Sequence, residues 1–202
     1  MAKQHWRAGN QLYPLPAVMV SCGDSPDNYN IITVAWAGTI CSNPPMVSIS
    51  IRPERHSHSI IKRTGEFVIN LTTEDLAFAT DWCGVKSGRD TNKWEAMNLT
   101  PIQCKEIKAP AIAESPISIE CKVKEIIPLG THDMFIADVL NIIVDEKYID
   151  ETGLFDLAKA KPICYSHGKY YAVGKELGHF GYSVKKKTKK KNIIYIQQLD
   201  YS

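Results

Sequence analysis

The chain lacks the long apolar runs that identify membrane and secreted proteins. None of its 202 residues lie in a stretch that approaches the roughly 18 consecutive apolar residues of a membrane helix. The segment from Met1 to Gly9 carries charges and a tryptophan but no apolar signal region. These absences predict a cytoplasmic protein, and the length suits one domain built around a single core.

Several compact catalytic motifs are also missing. No Gly-x-Gly-x-x-Gly fingerprint follows a strand pattern, so a Rossmann dinucleotide domain is not expected. The phosphate-binding spacing Gly-x-x-x-x-Gly-Lys does not occur. Neither a serine–histidine–acid set nor a pair of catalytic carboxylates can be identified. This pattern is typical of a protein whose chemistry belongs to a bound cofactor.

The cysteines show no metal-binding spacing. There are six, and they form no Cys-x-x-Cys pair and no cluster typical of zinc or iron–sulfur sites, so no metal is expected. Without a secretion signal, free thiols are the default. Cys83, which precedes Gly84, is a candidate for a cofactor contact or a redox role; the alternative is a buried small hydrophobe.

Basic charge is concentrated at the C-terminus. The chain has 24 basic and 22 acidic residues, and six of the lysines lie in residues 185–202. The remaining 18 basic residues are outnumbered by the acidic ones, so a basic face that binds nucleic acid is not expected on the body. We therefore divide the chain into a domain, residues 1–184, and a lysine-rich tail, residues 185–202. The tail is interpreted as a solvated extension; the alternative is loose contact with RNA or an acidic partner.

The run from Asn30 to Ile61 places polar groups after apolar strands. Ile31 to Trp36 and Met46 to Ile51 have strand patterns, and Pro44-Pro45 interrupts them, which predicts a β-hairpin with a stiff connection. In the second strand the isoleucines alternate with serines, so one face is apolar and the other can approach a ligand.

A short helix is predicted directly after these strands. Ser57 is the expected N-cap and Gly65 lies near the C-terminus. Free N–H groups at a helix start attract anions, and Arg52 and Arg55 can each donate two hydrogen bonds to one phosphate. The pattern therefore allows a phosphate site, with an ordinary capped surface helix as the alternative.

The loop from Ser87 to Asp90 is a second candidate for binding phosphate. Its small residues, its hydroxyl and Arg89 suit an anion, with Lys93 one turn later on a helix predicted to begin at Asp90. A solvated turn capped by Asp90 is the alternative. The preceding segment, Thr72 to Cys83, is predicted as a helix capped by Thr72 or Thr73.

The second half of the chain has the pattern of an antiparallel sheet. Ile117 to Ile127 and Met134 to Val144 are the predicted strands, and Gly130-Thr131-His132 forms the turn between them. In the first strand Ile117, Ile119, Cys121 and Val123 are apolar, and they alternate with the polar residues Ser118, Glu120, Lys122 and Lys124. This alternation predicts one core face and one solvated face.

In combination, these segments resemble the flavin reductase-like family of FMN-binding split β-barrels. The resemblance extends over roughly residues 12 to 145. It rests on the following segments: Pro14-Leu15-Pro16, Asn30 to Trp36, Pro44-Pro45, Ser50 to Ile61, Glu66 to Asn70, Ser87 to Asp90 with Lys93-Trp94, and Gly130-Thr131-His132. It implies a mainly β protein with a few helices, an antiparallel split barrel of the Greek-key type.

The resemblance also implies the residues of an FMN site. The ring is expected near Asn30 to Trp36, the phosphate near Arg52, Arg55 and Ser57, and Ser87 to Arg89 form a lid loop. His132 is expected to position the hydride donor; the alternative is a turn histidine bonded to Asp133. The expected FMN contacts are Asn30, Thr33, Val34, Ala35, Trp36, Ser50, Ile51, Arg52, Arg55, His56, Ser57, Ile61, Cys83, Ser87, Gly88, Arg89 and Lys93. Tyr165, His167, Tyr170 and Tyr171 either cover the flavin rim or close the barrel.

The resemblance leaves three functions open. The first is a flavin reductase that oxidises NAD(P)H, or a flavoredoxin-like reductase of a small acceptor. The second is an electron carrier that keeps FMN bound and exchanges electrons with a ferredoxin or another iron–sulfur protein. The third is a flavin-binding module without turnover. Members of the family are typically homodimers, so a homodimer with contacts from both subunits is expected.

Overall fold

The computed structural model describes residues 1–184; the predicted tail, residues 185–202, lies outside the described residues. Within the described part, twelve strands and four α-helices are formed. The strands are β1 (Leu15–Pro16), β2 (Val18–Cys22), β3 (Asn30–Val34), β4 (Ala37–Ser42), β5 (Pro45–Ile51), β6 (Glu66–Asn70), β7 (Pro101–Ile102), β8 (Ala111–Ile112), β9 (Ile117–Pro128), β10 (Asp133–Val144), β11 (Ile163–Ser166) and β12 (Lys169–Ala172). The helices are α1 (His56–Thr64), α2 (Ala77–Val85), α3 (Lys93–Ala96) and α4 (Leu157–Ala160).

Seven strands form the main sheet, which is antiparallel throughout. Their order is β3-β2-β6-β9-β10-β5-β4, and β1, β11 and β12 form a separate three-stranded sheet. The main sheet curls into a half-barrel, because β3 and β4 lie at its opposite edges although only Ala35 and Trp36 separate them in the chain. The backbone N–H of Ser50 donates to the carbonyl of Trp36, at 2.8 Å, and extends the pairing of β4 with β5. The predicted mainly β, antiparallel split-barrel fold is confirmed.

The curled sheet encloses the largest apolar cluster. Its central side chains include Ile49, Ile61, Phe67 and Phe135, all essentially inaccessible to solvent. A second cluster lies on the outer side of β2 and β3, where Met19 and Ile31 pack against residues of α2 and α3. Burial of these faces drives the sheet to curl, because apolar area removed from water contributes roughly 25 cal/mol per Å².

The predicted hairpin of Ile31 to Trp36 with Met46 to Ile51 is wrong. β4 lies between the two segments and pairs with β5, whereas β3 pairs with β2 at the opposite edge of the sheet. β4 escaped detection because most of its side chains are exposed, so its sequence shows no alternation of apolar and polar residues.

Two predicted helix starts are also wrong. α1 begins at His56 with Arg55 as its N-cap, because the hydroxyl of Ser57 already accepts a hydrogen bond from Asn30 Nδ2, at 2.8 Å. α2 begins at Ala77 rather than near Thr72, whose hydroxyl donates to the carbonyl of Ala17. The predicted C-terminus of α1 is confirmed, since Gly65 adopts the left-handed conformation with φ of 69°.

The two long strands are confirmed as β9 and β10, but the solvated face of β9 is only partly so. Ser118 and Glu120 are buried, because the segment with β7 and β8 covers this end of the strand. The Glu120 carboxylate accepts hydrogen bonds from the backbone N–H groups of Lys105 and Glu106 and from Asn141 Nδ2. Three donors therefore satisfy the buried Glu120 carboxylate, which the sequence pattern had predicted to be solvated.

Candidate functional site

Two adjoining cavities lie between the open edge of the half-barrel and the helices. The larger has a volume of about 720 Å³ and the smaller about 220 Å³. Ile32, Arg52, Arg55 and Gly84 line both, so the cavities meet at these residues. We call the larger one the ring cavity and the smaller one the anion cavity.

The ring cavity has a peptide wall and an aromatic rim. One wall is the end of β3 and the residues after it, from Ile32 to Trp36, and Ser50 and Ile51 of β5 lie beside it. Because β3 is an edge strand, half of its N–H and C=O groups point away from β2 and are available to a ligand. Trp36 stacks on His132, with the ring planes 6° apart and the centroids 6.1 Å apart.

His132 lines the ring cavity at its turn. Its Nδ1 lies 2.9 Å from the hydroxyl of Thr131. Burial and, after it, the charge of Arg52 lower the pKa of the imidazole, so the neutral form dominates at pH 7. The alternative of a bond to Asp133 is wrong, because Asp133 instead contacts His58, at 2.8 Å.

The opposite side of the ring cavity is formed by the small sheet and α2. Tyr165, Gly168 and Tyr170 come from β11, β12 and their turn, and Asp81 comes from α2. Burial and then the nearby Asp81 carboxylate raise the pKa of the Tyr170 phenol to about 12, so it remains a hydrogen-bond donor across the physiological range.

The anion cavity is strongly basic. Five cationic side chains and a single acidic one line it, as do the first residues of α1 and the Ser87–Arg89 loop. The charged residues are Arg52, Glu54, Arg55, Lys86, Arg89 and Lys93. The start of α1 has no side-chain cap, so its N–H groups are open to an anion. Burial and then Arg89 lower the pKa of His56, which is therefore neutral at pH 7.

A close backbone approach shapes this cavity. Gly88 lies against Asn30, and a Cβ atom at position 88 would be 2.0 Å from Asn30 Oδ1. Asn30 is itself buried and donates to Ser57. Arg89 donates to the carbonyl of Glu54 at 3.2 Å and Arg55 to that of Gly84 at 3.4 Å. The predicted lid loop thus forms a fixed wall of the anion cavity.

Lys93 is the most deeply buried cation of the site, with a residue exposure of 4%. Its Nζ donates to the carbonyls of Ile31 and Cys83, both at 2.7 Å, which leaves one of its three N–H bonds for a ligand. Burial lowers the pKa of the ammonium to about 8. α3 begins at Lys93 with Asn92 as its cap, so the predicted helix start at Asp90 is wrong.

Sixteen of the seventeen expected FMN contacts, together with His132, line one or both cavities. The exception is Ile61, which is fully buried in the main core and lines neither. Cys83 lines the anion cavity, but burial raises the pKa of its thiol to about 11. A protonated, buried thiol favours the packing role over the redox role.

Some lining residues were not anticipated from the sequence. Asp81, Gly84, Val85 and Leu129 line the ring cavity. A Cβ atom at position 84 would lie 3.2 Å from Thr33 Cβ, a close approach of α2 to β3 that the sequence does not indicate. Among the described residues, no helix is long and apolar enough to cross a membrane, and no cluster of His, Cys, Asp and Glu could hold a metal ion.

Comparison with known proteins relates this geometry to one family. The model of the flavin reductase like domain matches residues 10–174. Flavoredoxin of Desulfovibrio vulgaris (Miyazaki F) has a similar structure, with a TM-score of 0.85 and 31% identity over 91% of this chain and 100% of that one. An uncharacterized protein of Archaeoglobus fulgidus is 30% identical over 69% of this chain and 77% of its own length.

A further relative is named as a rubredoxin. The high molecular weight rubredoxin of Moorella thermoacetica is 27% identical over 58% of this chain and 51% of its own length. The family match spans most of the chain and includes both cavities. The chain therefore belongs to the flavin reductase-like family.

Proposed function

We propose that this chain is an FMN-dependent oxidoreductase that reduces flavin or a small acceptor, with NAD(P)H as a candidate donor. The observation that carries the proposal is the junction of the two cavities. The ring cavity, with its peptide wall and aromatic rim, opens at Arg52 and Arg55 into the strongly basic anion cavity. One ligand with a planar ring and a terminal phosphate has the chemistry to fill both.

The residues of the chain fit the phosphate of FMN. A dianion would be surrounded by the guanidinium groups of Arg55 and Arg89, the free N–H of Lys93 and the open helix start at His56. Arginine can donate two parallel hydrogen bonds to a phosphate, which favours it over a point charge. Because position 88 is a glycine, no side chain fills the part of the cavity that lies next to Asn30.

The residues of the ring cavity fit an isoalloxazine. The outward-facing N–H and C=O groups of β3 and the residues up to Trp36 can pair with ring nitrogens and oxygens. The aromatic rim of Trp36 and His132 excludes water from one end. When bound, FMN supplies hydride and electron-transfer chemistry.

The chain's own contribution is to bind, orient and control protons. The neutral imidazole of His132 can either donate or accept a hydrogen bond at the edge of the ring cavity. The Tyr170 phenol stays protonated on the opposite side, beside the Asp81 carboxylate. These two groups flank the space in which a second planar substrate would lie, which supports His132 as a residue that positions the donor.

A second candidate is an electron carrier that keeps FMN bound and serves a ferredoxin or another iron–sulfur protein. The similarity to a flavoredoxin and to a rubredoxin favours it. Steady-state oxidation of NADH and NADPH with excess FMN separates the candidates. Turnover supports the reductase, whereas tightly bound FMN without turnover supports the carrier. If bound flavin cannot be reduced and reoxidised by any donor, the protein is a binding module.

We also propose a homodimer. Exposed apolar side chains on the edge strand β4 and on β10 support it, namely Ile40, Leu140 and Ile142. Light scattering coupled to size-exclusion chromatography measures the mass directly. A monomer at micromolar concentration would contradict this part of the proposal.

The FMN assignment is tested by comparing two ligands that differ only in the phosphate. Arg55→Ala is expected to weaken FMN by about tenfold to a hundredfold, because a charged hydrogen bond contributes roughly 1.5–3 kcal/mol. Riboflavin, which lacks the phosphate, is expected to change by less than threefold. Lys62→Ala, on the same helix but away from both cavities, is the matched control. Wild-type protein that binds neither ligand would sink the proposal.

A further inference from the structure

The start of α1 is held to the sheet by a buried pair of side chains that lies outside both cavities. His58 Nε2 and Asp133 Oδ2 are 2.8 Å apart, and their side chains are 7% and 15% exposed. The imidazole also packs edge-on against Phe135, with centroids 5.2 Å apart. Hydrogen bonds between such shielded groups are stronger than those at the surface.

The two partners stand next to the residues that line the two cavities. Asp133 directly follows His132 and begins β10, where it pairs with Ile51 on one side and Pro128 on the other. Its backbone is therefore fixed to the sheet at the ring cavity. His58 is the third residue of α1 and follows His56 and Ser57, which line the anion cavity.

A second link holds the same helical turn from another strand. Ser57 accepts a hydrogen bond from Asn30, the first residue of β3. The first turn of α1 is thus connected by Ser57 to β3 and by His58 to β10. Both strands lead into the walls of the ring cavity, so the two links set the position of the helix start relative to that cavity.

We propose that the His58–Asp133 pair is a positioning device that aligns the anion cavity with the ring cavity, so that one ligand can occupy both. This inference rests on the proposed function. When a ligand spans two sites, binding at the second is in effect intramolecular, and its advantage depends on the geometry between the sites. A ligand that uses only one cavity does not depend on that alignment.

The experiment measures three ligands on one set of variants. FMN spans both cavities, riboflavin uses the ring cavity, and inorganic phosphate, measured by competition with FMN, uses the anion cavity. Asp133→Ala is expected to weaken FMN about tenfold and to leave riboflavin and phosphate within twofold. Asp133→Asn, which keeps an acceptor oxygen, is expected to restore FMN to within threefold of wild type.

Two further variants separate alignment from general destabilisation. Arg63→Ala removes the exposed ion pair with Asp24, 2.9 Å long, in the last turn of the same helix, and is expected to leave all three ligands within twofold. His58→Leu keeps the packing against Phe135 while it removes the hydrogen bond. It is expected to weaken FMN about tenfold and to leave riboflavin and phosphate within twofold. This variant therefore carries the test if Asp133→Ala does not fold.

The possible outcomes are distinct. Wild type that does not bind FMN overturns the proposed function and this inference together. Wild type that binds FMN, with variants that weaken FMN and riboflavin equally, overturns only the positioning role. An Asp133→Asn variant as weak as Asp133→Ala also overturns it, because the role requires the hydrogen bond.

Discussion

The buried ammonium of Lys93 makes the stability of the ligand-free protein depend on pH in a way that one substitution isolates. In an unfolded chain this lysine has a pKa of 10.5, and burial lowers the value to about 8. Between these values the unfolded chain binds more protons than the folded one, so the free energy of unfolding rises with pH. The gain in the free energy of unfolding that comes from deprotonating Lys93 is complete above pH 10.5, and it is lost as the pH falls to about 8.

The magnitude follows from the difference in pKa. At 1.36 kcal/mol per pKa unit, the shift of Lys93 corresponds to about 3 kcal/mol. Lys93→Met keeps most of the side-chain volume and has no charge to bury. It also leaves the carbonyls of Ile31 and Cys83 without their donor, a loss of about 1 kcal/mol each that does not depend on pH.

The assay is urea unfolding of wild type and Lys93→Met from pH 7 to 10.5, with reductant and without FMN. The stability of wild type relative to the variant is expected to rise by about 3 kcal/mol across this range. Buried thiols that Lys93 does not influence, such as Cys104 and Cys121, whose pKa burial raises to about 12, titrate in both proteins and cancel in the difference. Parallel pH profiles, within 1 kcal/mol, would refute the reasoning.

Two further substitutions test the packing of the site and of its support. The added Cβ of Gly88→Ala must displace Asn30, so the variant is expected to lower the unfolding free energy by roughly 1–3 kcal/mol, measured from the urea midpoint. It is also expected to weaken FMN binding, measured by titration. Gly38→Ala meets no atom within 4 Å and is its control; equal effects would contradict the steric argument. Glu120→Ala removes the acceptor of two backbone N–H groups and of Asn141 Nδ2, and is expected to cost about 2–5 kcal/mol in calorimetry, with the FMN dissociation constant unchanged. A changed FMN affinity would show that this acid also shapes the site.

The sequence predicted the fold where its residues obey a local periodicity. β9 alternates apolar and polar residues over most of its length, β10 is a long and largely apolar segment, and both were found almost to the residue. The end of α1 was found because Gly65 supplies the left-handed conformation that a helix terminus often requires. In these cases each local pattern agrees with the tertiary structure around it.

The failures occurred where a distant segment determines the environment. Ser118 and Glu120 are polar residues on a face that the β7–β8 segment covers, and nothing in β9 indicates that cover. Ser57 has the chemistry of a cap, but its hydroxyl is engaged by Asn30, which is 27 residues away in the sequence. Side-chain partners chosen across the fold therefore override local preferences.

Predictions for the candidate site succeeded and failed for the same reasons. Arg55, Ser57 and Arg89 were expected because anion-binding chemistry is visible in residue type and in short segments. Asp81 and Tyr170 were harder to place, since α2 and the small sheet, two distant parts of the sequence, meet at one wall of the ring cavity. The resemblance to a family supplied the ring contacts, which no local pattern would have given.

The anion cavity is costly for the protein when it holds no anion. Arg55, Arg89 and Lys93 repel one another across a small volume, and the lowered pKa values of His56 and Lys93 record that repulsion together with burial. A bound phosphate would reverse the sign of the local potential and favour the charged lysine. Stability gained in this way adds to the folding free energy through mass action. Riboflavin would offer no such compensation, so under the proposed function the charges of the anion cavity would favour FMN over riboflavin.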